Sequence, residues 1–400
     1  MNCRKVLRRV IAVASILWLV AGCGAPGDVP PSISPAKDTA PTPVPPTATA
    51  LPTPIPPTVI PTLASASPPV PAPTATPRAD GLTHDEAATL GSLEQVDDYP
   101  LYTMHYYGSY AERVASVEGG ERGVSASRRV PNVMASLPTW GCSLFAAQGN
   151  ADEMVYGRNF DWDYSPAVLL FTHPPEGYTS LSMVDIAYFG FEGAQARGLT
   201  DLPLVERQAL LDTPRLPFDG MNERGLVVGM AAVPPGQMVP DPDKETTGSL
   251  RVIRKMLDQA GDVDEAVAIL SSYNIDFEGG PPIHYLIADP SGRAALVEFY
   301  QGEMVVFANE TPYHLATNFL RASAGESAEG ECWRYDRLSQ RLRKTEGRMT
   351  SQDAMDLLAA VSQEGTQWSI VYGISTGDVS VTMGRSYNAS HTFHLSRASK

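Results

Sequence analysis

The chain has 400 residues, 43% hydrophobic and 19% charged, with 30 Lys plus Arg against 45 Asp plus Glu and a formal net charge of −15. That acidity excludes the basic footprint of a nucleic-acid binder, and four cysteines in such a length exclude a disulfide-built scaffold.

Residues 1–22 place Arg4, Lys5, Arg8 and Arg9 ahead of an apolar run over residues 10–20, the layout of an export signal and too short for a comfortable membrane span. The ending Val20-Ala21-Gly22-Cys23 reads as a lipobox, in which the Cys23 thiol takes a diacylglyceryl group and becomes the N-terminus. Two acyl chains anchor stably. The expected location is therefore extracytoplasmic, on a bacterial cell membrane, with contact to the bilayer through the anchor alone. The alternative is an ordinary secretory signal with an unmodified cysteine. Loss of the signal leaves 26 basic against 45 acidic side chains, a charge near −19.

Residues 23–80 hold 18 of the 35 prolines and only five charged side chains, Asp28, Lys37, Asp38, Arg78 and Asp80. Such a segment cannot bury a core. It reads as an extended tether, with a Pro-rich docking ligand as the alternative. From Gly81 onward no second linker interrupts the chain, so one α+β domain is expected.

Thr83 caps a short helix at His84-Asp85-Glu86, and residues 99–107 (YPLYTMHYY) are aromatic and β-prone, so they read as a strand. Residues 81–141 thus form a structured N-terminal segment. Residues 142–147 and 154–160 read as a hairpin about the polar turn 148–152, which lays Cys142 against Arg158-Asn159-Phe160-Asp161 with the register open by one residue. Further strands are expected at 168–172, 181–188, 226–232, 283–288, 294–300, 304–308, 313–317, 368–374 and 379–383. Helices are expected at 202–211, 250–260, 263–272, 332–344 and, behind Thr350, 351–362. Strand groups followed by helix pairs suggest antiparallel sheets with helices outside them. No P-loop, GxGxxG, HExxH or G-x-S-x-G occurs, so no cofactor or metal is implied and the serine-hydrolase elbow has no support.

Taken alone, Cys142 reads as a small buried hydrophobe. Three neighbours change that. Arg158 favours a thiolate, Asp161 can hold a nearby ammonium, and Gly141 leaves its carbonyl unshielded and its backbone free. These suit a nucleophile that becomes N-terminal by cutting its own chain. The Cys142 thiol attacks the Gly141 carbonyl, the acyl group shifts from nitrogen to sulfur, and water releases everything up to Gly141. The freed α-amine, with an ordinary pKa of about 8, then serves as general base. None of His84, His105, His173, His284, His314, His391 and His394 sits in a segment that obviously returns to Cys142, although a Cys-His dyad is the alternative within enzymes. A Cys142–Cys332 bridge also stays open.

Gly141-Cys142-Ser143-Leu144-Phe145 followed by Gly157-Arg158-Asn159-Phe160-Asp161-Trp162 resembles the opening of the linear amide C-N hydrolases of the choloylglycine hydrolase family. These N-terminal-nucleophile (Ntn) hydrolases include penicillin V acylases and bile salt hydrolases, with acid ceramidase-like amidases as relatives. The stretches Asp219-Gly220-Met221-Asn222-Glu223-Arg224-Gly225-Leu226, Ala288-Asp289-Pro290-Ser291-Gly292 leading to Glu298, Thr317-Asn318-Phe319 and Trp333-Arg334-Tyr335 are similar to the family's as well. The resemblance covers residues 142–400 in order. It implies an αββα four-layer sandwich with two antiparallel sheets between helix layers, and an amidohydrolase that acts on an N-acylated small molecule. It further implies that Cys142 is nucleophile and, through its amine, base. Arg158 polarises the thiol or substrate, Asp161 orients the α-ammonium, Asn318 bonds the tetrahedral intermediate or the amine, and Arg334 completes the cluster.

Each residue also has a plainer reading. Arg158 and Asp161 read as a surface ion pair, Asn318 as a strand-end turn residue, and Arg334 as a solvated helix position beside Asp336. Asn222 is best read as a hairpin turn residue. The chain departs from bile salt hydrolases at Ala232, where they usually carry asparagine, so a second oxyanion donor has to come from elsewhere. Acid ceramidase-like relatives retain the piece upstream of the cut, and residues 81–141 suit that fate. Two rivals remain: an acyltransferase like the isopenicillin N acyltransferases, and a solute-binding lipoprotein with a packed thiol. Homo-oligomerisation is left open.

Overall fold

The computed structural model describes residues 78–115, 141–235, 239–324 and 328–398. The export signal, Cys23, nearly all of the tether and residues 116–140 lie outside these. Thr83 opens α1 (His84–Gly91) with a reciprocal capping box to Glu86. β1 (Glu94–Asp97), β2 (Leu101–Tyr106) and the short α2 (Ala111–Ala115) are the other described elements upstream of Cys142. β3 (Gly141–Ala147) and β4 (Val155–Asp161) form the expected hairpin.

There follow β5 (Ala167–Thr172), β6 (Ser180–Asp185), β7 (Asp219–Asn222), β8 (Val227–Ala232), β9 (Glu245–Gly248), α3 (Arg251–Gln259) and α4 (Val263–Ser271). Next come β10 (Tyr273–Asp276), β11 (Ile283–Ala288), β12 (Ala294–Tyr300), β13 (Glu303–Ala308) and β14 (Tyr313–Ala316). The chain ends through α5 (Trp333–Thr345), α6 (Ser351–Ala360), β15 (Thr366–Gly373), β16 (Asp378–Met383) and β17 (His391–His394).

Nine strands form one sheet in the order β1-β2-β5-β6-β7-β8-β11-β12-β13, and six form a second in the order β14-β3-β4-β15-β16-β17. Strand alternation decides what lies between them. Cys142, Leu144 and Ala146 of β3 join the core that includes Val227 of β8 and Leu286 of β11, whereas Phe145 and Ala147 face Leu338 of α5 and Leu358 of α6. The two sheets approach closely where β8 carries Gly229, since a Cβ there would press on the Tyr156 hydroxyl and Leu144. Helices α3 and α4 cover the outer face of the larger sheet, and α5 and α6 cover the smaller. The fold is thus α+β in four layers, as the sequence led us to expect.

Several details differ from the sequence reading. The strand expected over 181–188 ends at Asp185, whose side chain accepts from the Ala187 N–H and turns the chain into a 3₁₀ segment, Ile186–Phe189. The helix expected over 202–211 is a 3₁₀ run, Leu204–Arg215, in which Pro214 removes a backbone donor. β2 pairs with β5 in parallel, Leu101 opposite Ala167. Parallel neighbours need a long connection, and here it contains the whole β3–β4 hairpin of the other sheet. Cys142 and Cys332 are both free thiols.

His314 of β14 is half-buried, its Nε2 2.9 Å from the Phe307 carbonyl, and desolvation holds its pKa below the ordinary value. The unfolded chain therefore binds a proton here at a higher pH than the folded chain does. Stability from this group is complete above the unfolded pKa near 6.5 and is lost as pH falls from there toward the folded value. Between pH 7 and pH 5, Tm should fall less in His314→Gln than in the wild type; equal falls would contradict this.

Candidate active site

The hairpin register sets Gly141 opposite Asp161, Cys142 opposite Phe160 and Leu144 opposite Arg158. Cys142 and Arg158 therefore share the inner face as diagonal neighbours. Gly141 sits in extended strand and does not use the left-handed freedom that sequence alone suggested for it. What it supplies is room, since a Cβ at this position would collide with the Gln363 side-chain amide and lie 3.1 Å from Arg334 Nη2.

Three residues far apart in sequence meet at Cys142. Its backbone N–H donates to Asn318 Oδ1 at 2.5 Å, and its carbonyl accepts from Arg334 Nη1. Arg334 also donates to Ser143 Oγ at 3.1 Å and, through Nη2, to Asn318 Oδ1 at 3.0 Å. Asn318 Nδ2 donates to the Ala232 carbonyl at 2.7 Å, which fixes the amide with its oxygen toward Cys142. Ala232 thus contributes a backbone acceptor where a side chain was looked for. Arg334 is buried at the start of α5, so the solvated-position reading is set aside, and Asn318 follows the end of β14 with its amide engaged on both sides.

Arg158 is completely buried, and its partner is Asp219 of β7, not Asp161. Nη1 also donates to the Phe218 carbonyl at 2.9 Å, and the guanidinium lies 5.1 Å from the Phe160 ring. Asp219 accepts in addition from Tyr372 and from Trp368 Nε1 at 3.4 Å. Nε and Nη2 of Arg158 have no hydrogen-bond partner among the described residues. Asp161 is held by neutral donors, Gln363 Nε2 at 2.6 Å and Thr366 Oγ1 at 2.5 Å. The surface ion pair therefore does not exist: both residues are buried, and each has its own partners.

Burial pushes the Cys142 thiol above its ordinary pKa, and Asp161 adds to this, while Arg158 and Arg334 pull it down without winning. The sequence argument that Arg158 would favour the thiolate has the right sign but is outweighed by desolvation. Burial likewise raises Asp161, opposed by Thr366 and Gln363. Burial lowers the Arg158 guanidinium, yet Asp219, the thiol and Tyr156 together hold it above its ordinary value. Asn222 is a turn residue, its Oδ1 accepting from the N–H groups of Arg224 and Leu226. Sequence reasoning missed Asp219 as a residue in its own right, although the stretch it begins was noticed, and it missed Gln363 and Thr366, which lie in no recognisable motif.

A cavity of about 290 Å³ opens next to β14, and Cys142, Arg158, Asp161, Asn318 and Arg334 are not among the residues that line it. Thr317 and Phe319, on either side of Asn318, line it together with His284, Leu296, Phe307 and Tyr335.

The site is thus a thiol at the inner start of a strand, with an amide on its nitrogen and a guanidinium on its carbonyl. Residues 142–319 match the model of the family described as linear amide C-N hydrolases, choloylglycine hydrolase family. The match begins at Cys142 itself. Similar solved structures include a mutant of conjugated bile acid hydrolase from Clostridium perfringens, 15% identical over 64% of this chain and 92% of that one, with a TM-score of 0.46. Penicillin V acylase from Agrobacterium tumefaciens is 16% identical over 60% of this chain and 83% of its own, with a TM-score of 0.41. The N-acylethanolamine-hydrolyzing acid amidase ortholog of Caenorhabditis elegans is 14% identical over 64% of this chain and 100% of its own, with a TM-score of 0.42.

Proposed function

We propose that this protein cuts itself between Gly141 and Cys142 and then hydrolyses the amide bond of an N-acylated small molecule through a thioester on Cys142. The observation that carries the reading is the convergence of Asn318 and Arg334 on the nitrogen and carbonyl of Cys142. In self-cleavage the sulfur bonds to the Gly141 carbonyl carbon, the Gly141–Cys142 C–N bond breaks with a proton delivered to nitrogen, and water then hydrolyses the thioester. In turnover the new α-amine takes the thiol proton, sulfur attacks the substrate carbonyl, and the amine returns the proton to the departing nitrogen. Water attacks the thioester with the amine again as base. Asn318 and Arg334 steady the amine end of Cys142, and the buried Arg158 faces the charge that develops around sulfur.

The upstream piece is expected to stay bound. β2 buries Leu101, Tyr102, Met104 and Tyr106, at about 1.5–3 kcal/mol per large side chain, and pairs with β5 beyond the cut. Tyr110 donates to Asp258 Oδ1 at 2.8 Å, and His391 Nε2 lies 2.6 Å from Asp97 Oδ2. Export and lipidation at Cys23 would set the enzyme outside the cell on its membrane.

Intact mass tests the cut: purified protein should give two chains that divide at Gly141 and Cys142 and co-elute without denaturant. One uncut chain, inert toward N-acyl amides, would instead favour the solute-binding alternative. Trapping experiments with added amines separate hydrolysis from acyl transfer. The cavity beside Asn318 is assigned to one arm of the amide. Phe307→Ala should therefore shift the kcat/KM ratio toward bulkier N-acyl amides by about 10-fold, and an unchanged ratio would remove the cavity from the substrate site.

A further inference from the structure

We propose that Gln363 is a positioning residue that makes self-cleavage depend on glycine at position 141, an inference that rests on the cleavage reading above. Gln363 lies between α6 and β15, outside the stretches that resemble the family. Its Nε2 donates to Asp161 Oδ2 at 2.6 Å, and its backbone N–H donates to Thr366 Oγ1 at 2.8 Å. Thr366 Oγ1 in turn donates to Asp161 Oδ1 at 2.5 Å. The three residues close a ring in which both oxygens of the buried carboxylate are occupied.

The register sets residue 141 directly opposite Asp161, and the Gln363 amide fills the space that a Cβ on residue 141 would need. The far end of a glutamine can move aside at small steric cost. Moving it here removes the donor from Asp161 Oδ2 and leaves a buried carboxylate short of a partner, which is the expensive part. Glycine before the nucleophile is thus required for the sake of Asp161, and Gln363 is the part that enforces it.

The test uses the full chain in four forms: wild type, Gly141→Ala, Gln363→Ala and the double variant, with the fraction cut followed over time by intact mass. Gly141→Ala should slow cleavage roughly 10- to 100-fold, the scale of a small misplacement at a reacting centre. Gln363→Ala should slow it too, and the double variant should be scarcely slower than Gln363→Ala alone, because the alanine methyl then meets only Arg334 Nη2 at 3.1 Å, a contact that a shift of a few tenths of an ångström relieves. Losses that multiply in the double variant, or wild-type cleavage by Gly141→Ala, would overturn the proposal.

The same four forms built on Cys142→Ala cannot cut, and their melting temperatures read the steric link separately. Gly141→Ala should lower Tm in the presence of Gln363 and not in its absence; equal losses in both would overturn the link. An uncut wild type together with this non-additive pattern in Tm would fault the cleavage reading and leave the coupling of residue 141 to Asp161 standing.

Discussion

Replacing Cys142 by alanine should leave the chain in one piece and lower amide turnover by roughly 10⁴- to 10⁶-fold, the range seen when a covalent nucleophile is removed. On the proposed reading both effects come from one sulfur atom, the attacking group in self-cleavage and again in each turnover. The substitution leaves Cys142's backbone bonds to Asn318 and Arg334 in place, and the side chain it shortens belongs to the inter-sheet core. The variant should therefore fold. Intact mass reads the first effect, steady-state kinetics with an N-acyl amide the second, and circular dichroism the fold. Turnover close to wild type would show that Cys142 is a packed thiol.

Asn318→Ala should lower kcat by about 10²- to 10³-fold with little change in KM, the size expected for one preorganised dipole in a dry site. The residue does two jobs. Its oxygen accepts from both Cys142 N–H and Arg334 Nη2, and its nitrogen donates to the Ala232 carbonyl. Without it, Arg334 loses one of its anchors, and the Cys142 nitrogen, the base in the proposed reaction, loses the acceptor that aims it. Asn318→Asp keeps the acceptor and adds charge beside Arg334, so it should recover part of the loss if orientation is what matters. Equal losses in both variants would point to packing.

Much of the hairpin that carries Cys142 was legible, because an apolar run, a polar turn and a β-prone return strand coincide within twenty residues. The helices behind Thr83 and Thr350 were legible for a similar reason, since their caps are local chemistry. What escaped was decided at a distance. No local signal pairs Arg158 with Asp219, sixty-one residues on, or sets Gln363 over Gly141. Short strands such as β7 and β17 carry too few residues for periodicity to show, and they exist because neighbours supply their hydrogen bonds. The balance on the thiol could not be read either, because desolvation depends on how deeply the finished fold encloses it.

The parallel β2–β5 pair also bears on how the protein is made. In the uncut chain, bringing β2 alongside β5 is a loop closure within one molecule, whose entropic cost grows only slowly with loop length. Once the bond after Gly141 is gone, the same pairing is an encounter between two molecules, and its yield depends on concentration. A cut enzyme that loses its first piece in dilute solution would not readily rebuild the larger sheet. Uncut Cys142→Ala should refold after dilution from denaturant to an extent that does not change with protein concentration, whereas the matured protein should do so only where the concentration is high.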